Sequence, residues 1–158
     1  MAGYSSLTRR SALVLVAGTA ALAMVASSAA EEQVVTVHKD PNCGCCSGWV
    51  RHLQAAGFTV NAVETADLDA VKTRLGVPAD LAACHTAQVA GYIVEGHVPA
   101  LALERFLAEK PNAAGLAVAG RPVGSPGMEG GAPERYSVVL FGPGGRRTYM
   151  TFMGDRPA

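Results

Sequence analysis

Three of the four cysteines in this chain stand together in a single tetrad. Cys43, Cys45 and Cys46 surround Gly44, and the remaining thiol, Cys84, lies far along the chain. A C-x-x-C pair with an additional thiol between its members suits two kinds of chemistry, which are dithiol redox exchange and binding of a soft metal ion by thiolates. The choice between them depends on what the rest of the chain places around the thiols.

The tetrad lies between a predicted strand and a predicted helix. Residues 34–38 alternate branched side chains and end at a turn signal, and residues 47–56 carry apolar side chains at helical spacing. The tetrad therefore opens the first helix, where the helix dipole lowers the pKa of a thiol, and Cys43 is best placed to gain from it. Cys43 and Cys46 can share one helix face, so all three thiols converge only if Cys43 lies in the preceding loop.

The remaining pattern predicts an α/β fold. It indicates further elements in the order strand 58–63, helix 67–75, two short strands between 83 and 95, and helix 99–110. The sum is βαβαββα, with a mixed sheet and crossover helices. Because a C-x-x-C sequence opens the helix after the first strand, the architecture resembles thioredoxin.

The C-terminal part has a different composition. Residues 111–133 are rich in Gly and Pro, which predicts a long loop of the kind that is usually functional or disordered. Strands at 136–141 and 148–152, joined by the turn 142–145, then form a predicted hairpin within the C-terminal segment 134–158.

A leader typical of export occupies residues 1–30. Arg9 and Arg10 precede an apolar stretch at 12–25, and a run of small residues ends at Ala30, where we expect cleavage. The apolar stretch is shorter than the roughly 20 residues of a membrane-spanning helix. The general secretory route is favoured over the twin-arginine route because the second residue after the arginine pair is alanine, where a bulky apolar residue is usual. The prediction is a periplasmic protein with no membrane attachment after cleavage.

The segment 31–158 is predicted to be a single domain with no nucleic-acid partner. The whole chain has 13 basic and 13 acidic side chains, so loss of Arg9 and Arg10 leaves a net charge of −2. Nucleic-acid binding calls for a basic patch, and the remaining Lys and Arg residues are spread thinly. A domain of this length can bury a core without disulfides, so its cysteines need another explanation.

Cys84 decides how the tetrad is interpreted. It stands at the start of a strand that, in a thioredoxin-like fold, lies beside the dithiol, and we expect it to face the tetrad; the alternative is a small buried core residue. His85 is a further candidate ligand, although strand alternation lets only one of these neighbours face the tetrad easily. His97 and Met128 are also candidate metal ligands, and an additional histidine, His38, ends the first strand close to the tetrad.

Four ordered segments carry a resemblance to a known family. They are residues 39–46 (KDPNCGCC), 83–87 (ACHTA), 91–99 (GYIVEGHVP) and 124–129 (GSPGME). Together they resemble the successive motifs of the CopG-like family, which is found among exported bacterial copper-resistance proteins. The resemblance implies a thioredoxin-like domain that handles copper in the periplasm through its cysteines. One departure is Arg121, which stands where relatives often have a methionine.

Three hypotheses follow. The first is a periplasmic copper-homeostasis protein that holds Cu(I) through Cys43, Cys45, Cys46 and Cys84 and keeps it or passes it to other periplasmic copper-handling proteins; clustered soft donors suit Cu(I) better than zinc. The second is a thiol-disulfide or Cu(II)/Cu(I) oxidoreductase that uses Cys43 and Cys46. The third is an exported domain with no metal and two disulfides, Cys43 to Cys46 and Cys45 to Cys84, since the vicinal cysteines are poorly disposed to bond each other.

Overall fold

The computed structural model describes residues 33–158, so the predicted leader lies outside the described residues. In chain order the elements are β1 (Val35–Lys39), α1 (Gly44–Ala55), β2 (Val60–Glu64), α2 (Leu68–Leu75), a 3-10 turn (Ala79–Leu81), β3 (His85–Val89), β4 (Tyr92–Glu95), α3 (Ala100–Glu109), β5 (Gly115–Ala117), β6 (Arg135–Gly142), β7 (Gly145–Met153) and β8 (Arg156–Pro157).

One mixed sheet organises these elements. Its strand order is β2-β1-β3-β4-β5-β6-β7-β8. The β1–β2 and β4–β5 pairs are parallel, and the other neighbouring pairs are antiparallel. Each parallel pair is connected through a helix, as such a crossover requires. The predicted α/β class with a mixed sheet is confirmed, whereas the narrower thioredoxin-like assignment stays a prediction.

Helices α1 and α3 contribute to the larger of two apolar clusters, on one face of the sheet. This cluster joins Trp49 and Leu53 of α1 to Leu103 and Phe106 of α3, together with inward-facing strand residues such as Val37. Neighbouring strand residues point to opposite faces. The smaller cluster of Leu81, Ala117 and Phe141 therefore lies on the other face, because Ala117 follows Leu116 of the larger cluster along β5.

The structure differs from the sequence-based prediction at the start of α1, in strand β5, and in the 3-10 turn and strand β8, which the sequence did not predict. Helix α1 begins at Gly44 instead of Ser47, because Cys43 caps it from the extended backbone before it. Strand β5 interrupts the predicted loop at 111–133, and it lies between β4 and β6. The rest of that loop connects β5 to the hairpin of β6 and β7, whose turn at 142–145 is the predicted one. Within residues 33–158, no helix combines the length and apolarity that crossing a membrane requires.

A glycine-to-glycine contact attaches the long loop to α1. A Cβ atom added at Gly48 would lie 2.8 Å from Cα of Gly127, and Gly127 has the left-handed φ of +88° that glycine adopts without strain. The loop segment at 124–129 is therefore packed directly on the helix that carries the tetrad.

Gly48→Ala is expected to destabilise the protein by about 1–3 kcal/mol, because the new methyl group must displace the backbone of Gly127. Gly44→Ala is the matched control: its Cβ would meet nothing within 4 Å, and alanine favours a helix by up to about 1 kcal/mol over glycine. Urea unfolding of the two variants measures both effects. Equal stability of the two variants would contradict the packing described for the loop.

Candidate metal centre

The start of α1 positions the tetrad through a cap made by a thiol. Cys43 has an extended backbone and precedes the helix, and its Sγ accepts a hydrogen bond from the amide of Cys46 at 3.3 Å. An amide at a helix start has no partner inside the helix, so this contact satisfies it. Cys43 thus lies in the position that convergence of the three thiols requires.

Strand pairing brings Cys84 to the tetrad. Lys39, at the end of β1, pairs with His85, at the start of β3, so the segments that follow β1 and precede β3 are neighbours. Sγ of Cys84 lies 3.7 Å from Sγ of Cys45, which lies 3.5 Å from Sγ of Cys43. The four sulfur atoms all lie within 4.8 Å of one another. We call this set the four-sulfur cluster.

The four-sulfur cluster contains one disulfide. Cys43 is bonded to Cys46, and Cys45 and Cys84 are free. Of the two disulfides in the third hypothesis, the bond between Cys43 and Cys46 is present and the bond between Cys45 and Cys84 is not. Two thiols remain beside an oxidised pair.

A second group of donor atoms shares Cys84 with the cluster. Cys84, His85 and His97 place one ligand atom each within 4.8 Å of one another. Nε2 of His97 is 3.0 Å from Sγ of Cys84, and Nδ1 of His85 is 3.4 Å from it. His97 donates its Nδ1–H to the carbonyl of Pro126 at 2.8 Å. The lone pair of His97 Nε2 therefore faces the sulfur atom, because the other ring nitrogen carries the proton.

His85 is fully buried beside the centre. Its ring packs on that of Trp49, with centroids 4.4 Å apart. Within the described part of the chain, Nε2 of His85 is the one buried side-chain N or O atom without a hydrogen-bond partner. Leaving a buried polar atom unpaired costs stability, so such an atom calls for an explanation. The other ring nitrogen, Nδ1, is the one that faces Sγ of Cys84.

Burial sets the protonation of these groups. Desolvation lowers the pKa of His85 well below its usual value and also lowers the pKa of His97, so both rings are neutral near pH 7, the form that binds metals. Burial, followed by the neighbouring Cys45, raises the pKa of Cys84 to about 12, against a smaller opposing effect of Arg121. The metal-free Cys84 thiol is therefore protonated, and a metal ion that binds it must displace a proton.

Two other histidines lie outside both donor groups. Nε2 of His52 accepts a hydrogen bond from the amide of Ala100 at 3.0 Å, so His52 caps the start of α3. His38 is partly buried on β1. Trp49 is a core residue, as its spacing indicates, and its indole N–H donates to the carbonyl of Val98 at 2.8 Å.

Met128 and Arg121 belong to the long loop. Met128 is fixed through its backbone, and its amide donates to the carbonyl of Ser125 at 2.7 Å. Its neighbour Gly127 packs on α1, which carries the tetrad; ligation by the Met128 thioether stays a prediction. Arg121 is exposed, and its positive charge acts on Cys84 and His97.

Sequence reasoning did not identify Lys72 and Glu95, two charged residues buried behind the centre. Lys72 occupies an amphipathic helix, where a lysine is expected to face solvent. Glu95 offered a signal, because it ends an apolar strand within the segment 91–99 that carries part of the family resemblance. The role of the Pro126 carbonyl as acceptor for His97 had no local signal in the sequence, since any residue supplies a carbonyl.

The fold and the donor groups define an α/β protein with a cysteine-rich site able to hold metal. A family model described as a protein of unknown function, DUF411, matches residues 81–128. The chain is similar to a solved structure of copper resistance protein CopG, form 2, with 45% identity over 77% of this chain and 99% of that chain and a TM-score of 0.73. Form 1 of CopG gives 45% identity over 78% of this chain and 100% of that chain, also with a TM-score of 0.73.

A comparison with curated proteins gives no match. The identity and coverage of the CopG structures show the family: this chain belongs to the CopG family of copper resistance proteins.

Alkylation of Cys84 is expected to keep accelerating, by about tenfold per pH unit, from pH 7 to pH 10. The reason is that the thiolate is the reactive form and the raised pKa keeps its fraction low throughout this range. Peptide mapping by mass spectrometry after timed exposure to iodoacetamide measures the rate. In the urea-unfolded protein the rate should level off near the ordinary cysteine pKa of about 8.5. A plateau near pH 8.5 in the folded protein would contradict the burial of this thiol.

Proposed function

We propose that this protein binds Cu(I) as its cargo through the thiolates of Cys43, Cys45, Cys46 and Cys84. The observation that supports the proposal best is the gathering of four sulfur atoms within 4.8 Å of one another. In the reduced protein all four become available as ligands. The role is in copper homeostasis or resistance, in which the protein holds the ion or passes it on.

The chemistry of the donors favours copper over zinc. Thiolates are soft ligands that suit Cu(I), and adjacent thiolates can bridge more than one Cu(I) ion. Structural zinc usually takes two separated pairs of ligands in a closed tetrahedral cage, whereas here three donors come from one tetrad and one comes from a distant strand. The relatives at 45% identity carry the name copper resistance protein, which agrees with this choice of metal.

The histidines extend the donor set in this proposal. His97 directs an unprotonated Nε2 at Cys84, which would allow an ion on that sulfur to take a nitrogen ligand as well. His85 supplies a second neutral ring, whose Nδ1 lies 3.4 Å from Sγ of Cys84. Both rings are buried, so water does not compete with them for the ion. Met128 is proposed as a further, thioether donor from the loop packed on α1.

The proposal places the protein in the periplasm. The leader at residues 1–30 supports export by the general secretory route, followed by cleavage after Ala30. Its partners there would be copper ions and other periplasmic copper-handling proteins. A thioredoxin-like arrangement of the domain is part of the same proposal, supported by the tetrad at the start of α1 after β1.

A second candidate function is copper or thiol oxidoreduction, which the disulfide between Cys43 and Cys46 favours. Oxidation of these two thiols to a disulfide releases two electrons and two protons, and the electrons reduce two Cu(II) ions to Cu(I). The free Cys45 and Cys84 remain to hold a product ion. Anaerobic addition of Cu(II) to the reduced protein tests this second function. We expect one disulfide to form for every two Cu(II) ions that are reduced, and a failure to observe this ratio would reject the oxidoreductase function.

Anaerobic titration of the reduced protein with Cu(I) against a competing chelator tests the main proposal. We expect tight binding, and we expect Cys84→Ser to lower the affinity by about tenfold or more, because it removes the sulfur common to both donor groups. His38→Gln is the matched control, since His38 lies in neither donor group, and it should bind as the unchanged protein does. Binding no tighter than that of the fully alkylated protein would reject the proposal, and an unchanged affinity of Cys84→Ser would remove Cys84 from the site.

A further inference from the structure

The dipeptide Cys84–His85 supplies donor atoms to both groups, yet its own position depends on a short connection. Cys84 follows the 3-10 turn and precedes β3, so no strand hydrogen bonds hold it on its N-terminal side. The Cys84 thiol can bind the same metal ion as Cys45 only if the two stay side by side. The residues on either side of the dipeptide must therefore be held in place.

One buried carboxylate contacts both flanks of the dipeptide. Oε1 of Glu95 accepts a hydrogen bond from the amide of Ala83 at 2.6 Å, and Oε2 accepts one from the hydroxyl of Thr86 at 2.6 Å. The Glu95 side chain is fully buried. Hydrogen bonds to a charged acceptor are stronger than those between neutral groups. Glu95 thus clamps the residue before Cys84 and the residue after His85.

Lys72 compensates the buried charge. Its ammonium lies 2.5 Å from Oε1 of Glu95 and donates to the hydroxyl of Thr86 at 2.8 Å. Taking a lysine and a glutamate out of water is costly, and apolar residues in their place often leave a protein as stable or more stable. A gain in stability is therefore a poor explanation for this pair. Its geometry around one dipeptide is a better one.

The ion pair and the donor rings lie on opposite faces of the sheet. His85 is on the face of Ala87 in the larger cluster, and Thr86, between them, points the other way. Glu95 pairs with Thr86 across the strands. The carboxylate therefore supports the centre from behind, which agrees with the two donor groups, neither of which includes Glu95.

The end of β4, where Glu95 lies, also leads into the segment that carries His97. The amide of Gly96 donates to the carbonyl of His85 at 3.1 Å. A Cβ atom at Gly96, which has a φ of +71°, would lie 2.4 Å from the carbonyl oxygen of Val118, so the turn into His97 is tightly packed. Fixing Glu95 therefore fixes the start of the segment that brings His97 to Cys84.

We propose that Glu95, with its charge balanced by Lys72, is the positioning residue of the metal centre: it holds Ala83 and Thr86 so that Cys84 stays beside Cys45 and His97. The proposal rests on the proposed function for its biological purpose. The positioning itself can be measured without copper, so the two can fail separately.

The test compares two double variants in which the ion pair is removed in different ways. Lys72→Met with Glu95→Gln keeps a carbonyl oxygen that can accept from the amide of Ala83. Lys72→Met with Glu95→Met has a similar size but no acceptor. Both are made with Cys43→Ser and Cys46→Ser, so that Cys45 and Cys84 are the remaining thiols. Equilibration with glutathione redox buffer then measures how readily Cys45 and Cys84 form a disulfide, which reports their effective concentration.

We expect the Met variant to lower that effective concentration by about tenfold or more, because it loses both hydrogen bonds to the carboxylate, and the Gln variant to stay within about twofold of the protein with the natural pair. Thermal unfolding checks that both are folded. If the Met variant does not fold, Thr86→Val removes one flank alone and should lower the effective concentration by about threefold, the equivalent of one ordinary hydrogen bond. Equal values for the Met and Gln variants, or no loss in Thr86→Val, would overturn the positioning role.

Cu(I) titration of the same changes with all four cysteines present separates the two proposals. If the unchanged protein binds Cu(I), the Met variant should bind more weakly and the Gln variant nearly as well. Failure of the unchanged protein to bind Cu(I) would reject the proposed function, while the glutathione measurement would still decide the role of Glu95.

Discussion

The antiparallel pairing of β1 with β3 is the constraint on which the centre depends. The tetrad follows β1 along the chain, and Cys84 directly precedes β3. Because Lys39 pairs with His85, the end of one strand and the start of the other lie side by side. A shift of this register by one residue would turn the side chains of β3 to the opposite faces. His85 would then leave Trp49, and the donor groups would separate.

Around this junction the protein combines soft donors with a dry environment. Cys46, His85 and His97 are fully buried, and the two histidines are kept neutral by their burial. The protonated Cys84 adds no negative charge beside Cys45 in the metal-free protein. A soft cation that displaces the proton would supply the compensating charge. In the metal-free structure, two thiols and one disulfide therefore share this small volume.

The sequence predicted the order of the elements and the meeting of Cys84 with the tetrad, because hydrophobic periodicity and the position of the thiols within it are local properties. Strand β5 was missed, since three residues carry no periodic pattern and the strand exists through its pairing with β4 and β6. The pairing with β4 explains the glycine at position 115, because a Cβ atom there would lie 1.9 Å from the carbonyl oxygen of Ile93.

The buried ion pair of Lys72 and Glu95 could not be predicted from local patterns in the sequence. Lys72 and Glu95 are 23 residues apart and meet only when α2 packs against the sheet. A lysine on an amphipathic helix and a glutamate at the end of a strand are ordinary surface residues until the fold buries them. The proton assignment of His97 likewise depends on a carbonyl 29 residues away. Such contacts follow from tertiary structure, and the sequence marks at most one of the partners, as it does Glu95 at the end of an apolar strand.

The central claim is that sulfur from the four-sulfur cluster holds the copper. X-ray absorption spectroscopy at the copper edge, on the reduced protein loaded anaerobically with Cu(I), tests it most directly. The account predicts a first shell dominated by sulfur, with any nitrogen contribution lost when His85 and His97 are both replaced. A first shell made of nitrogen and oxygen alone would contradict it.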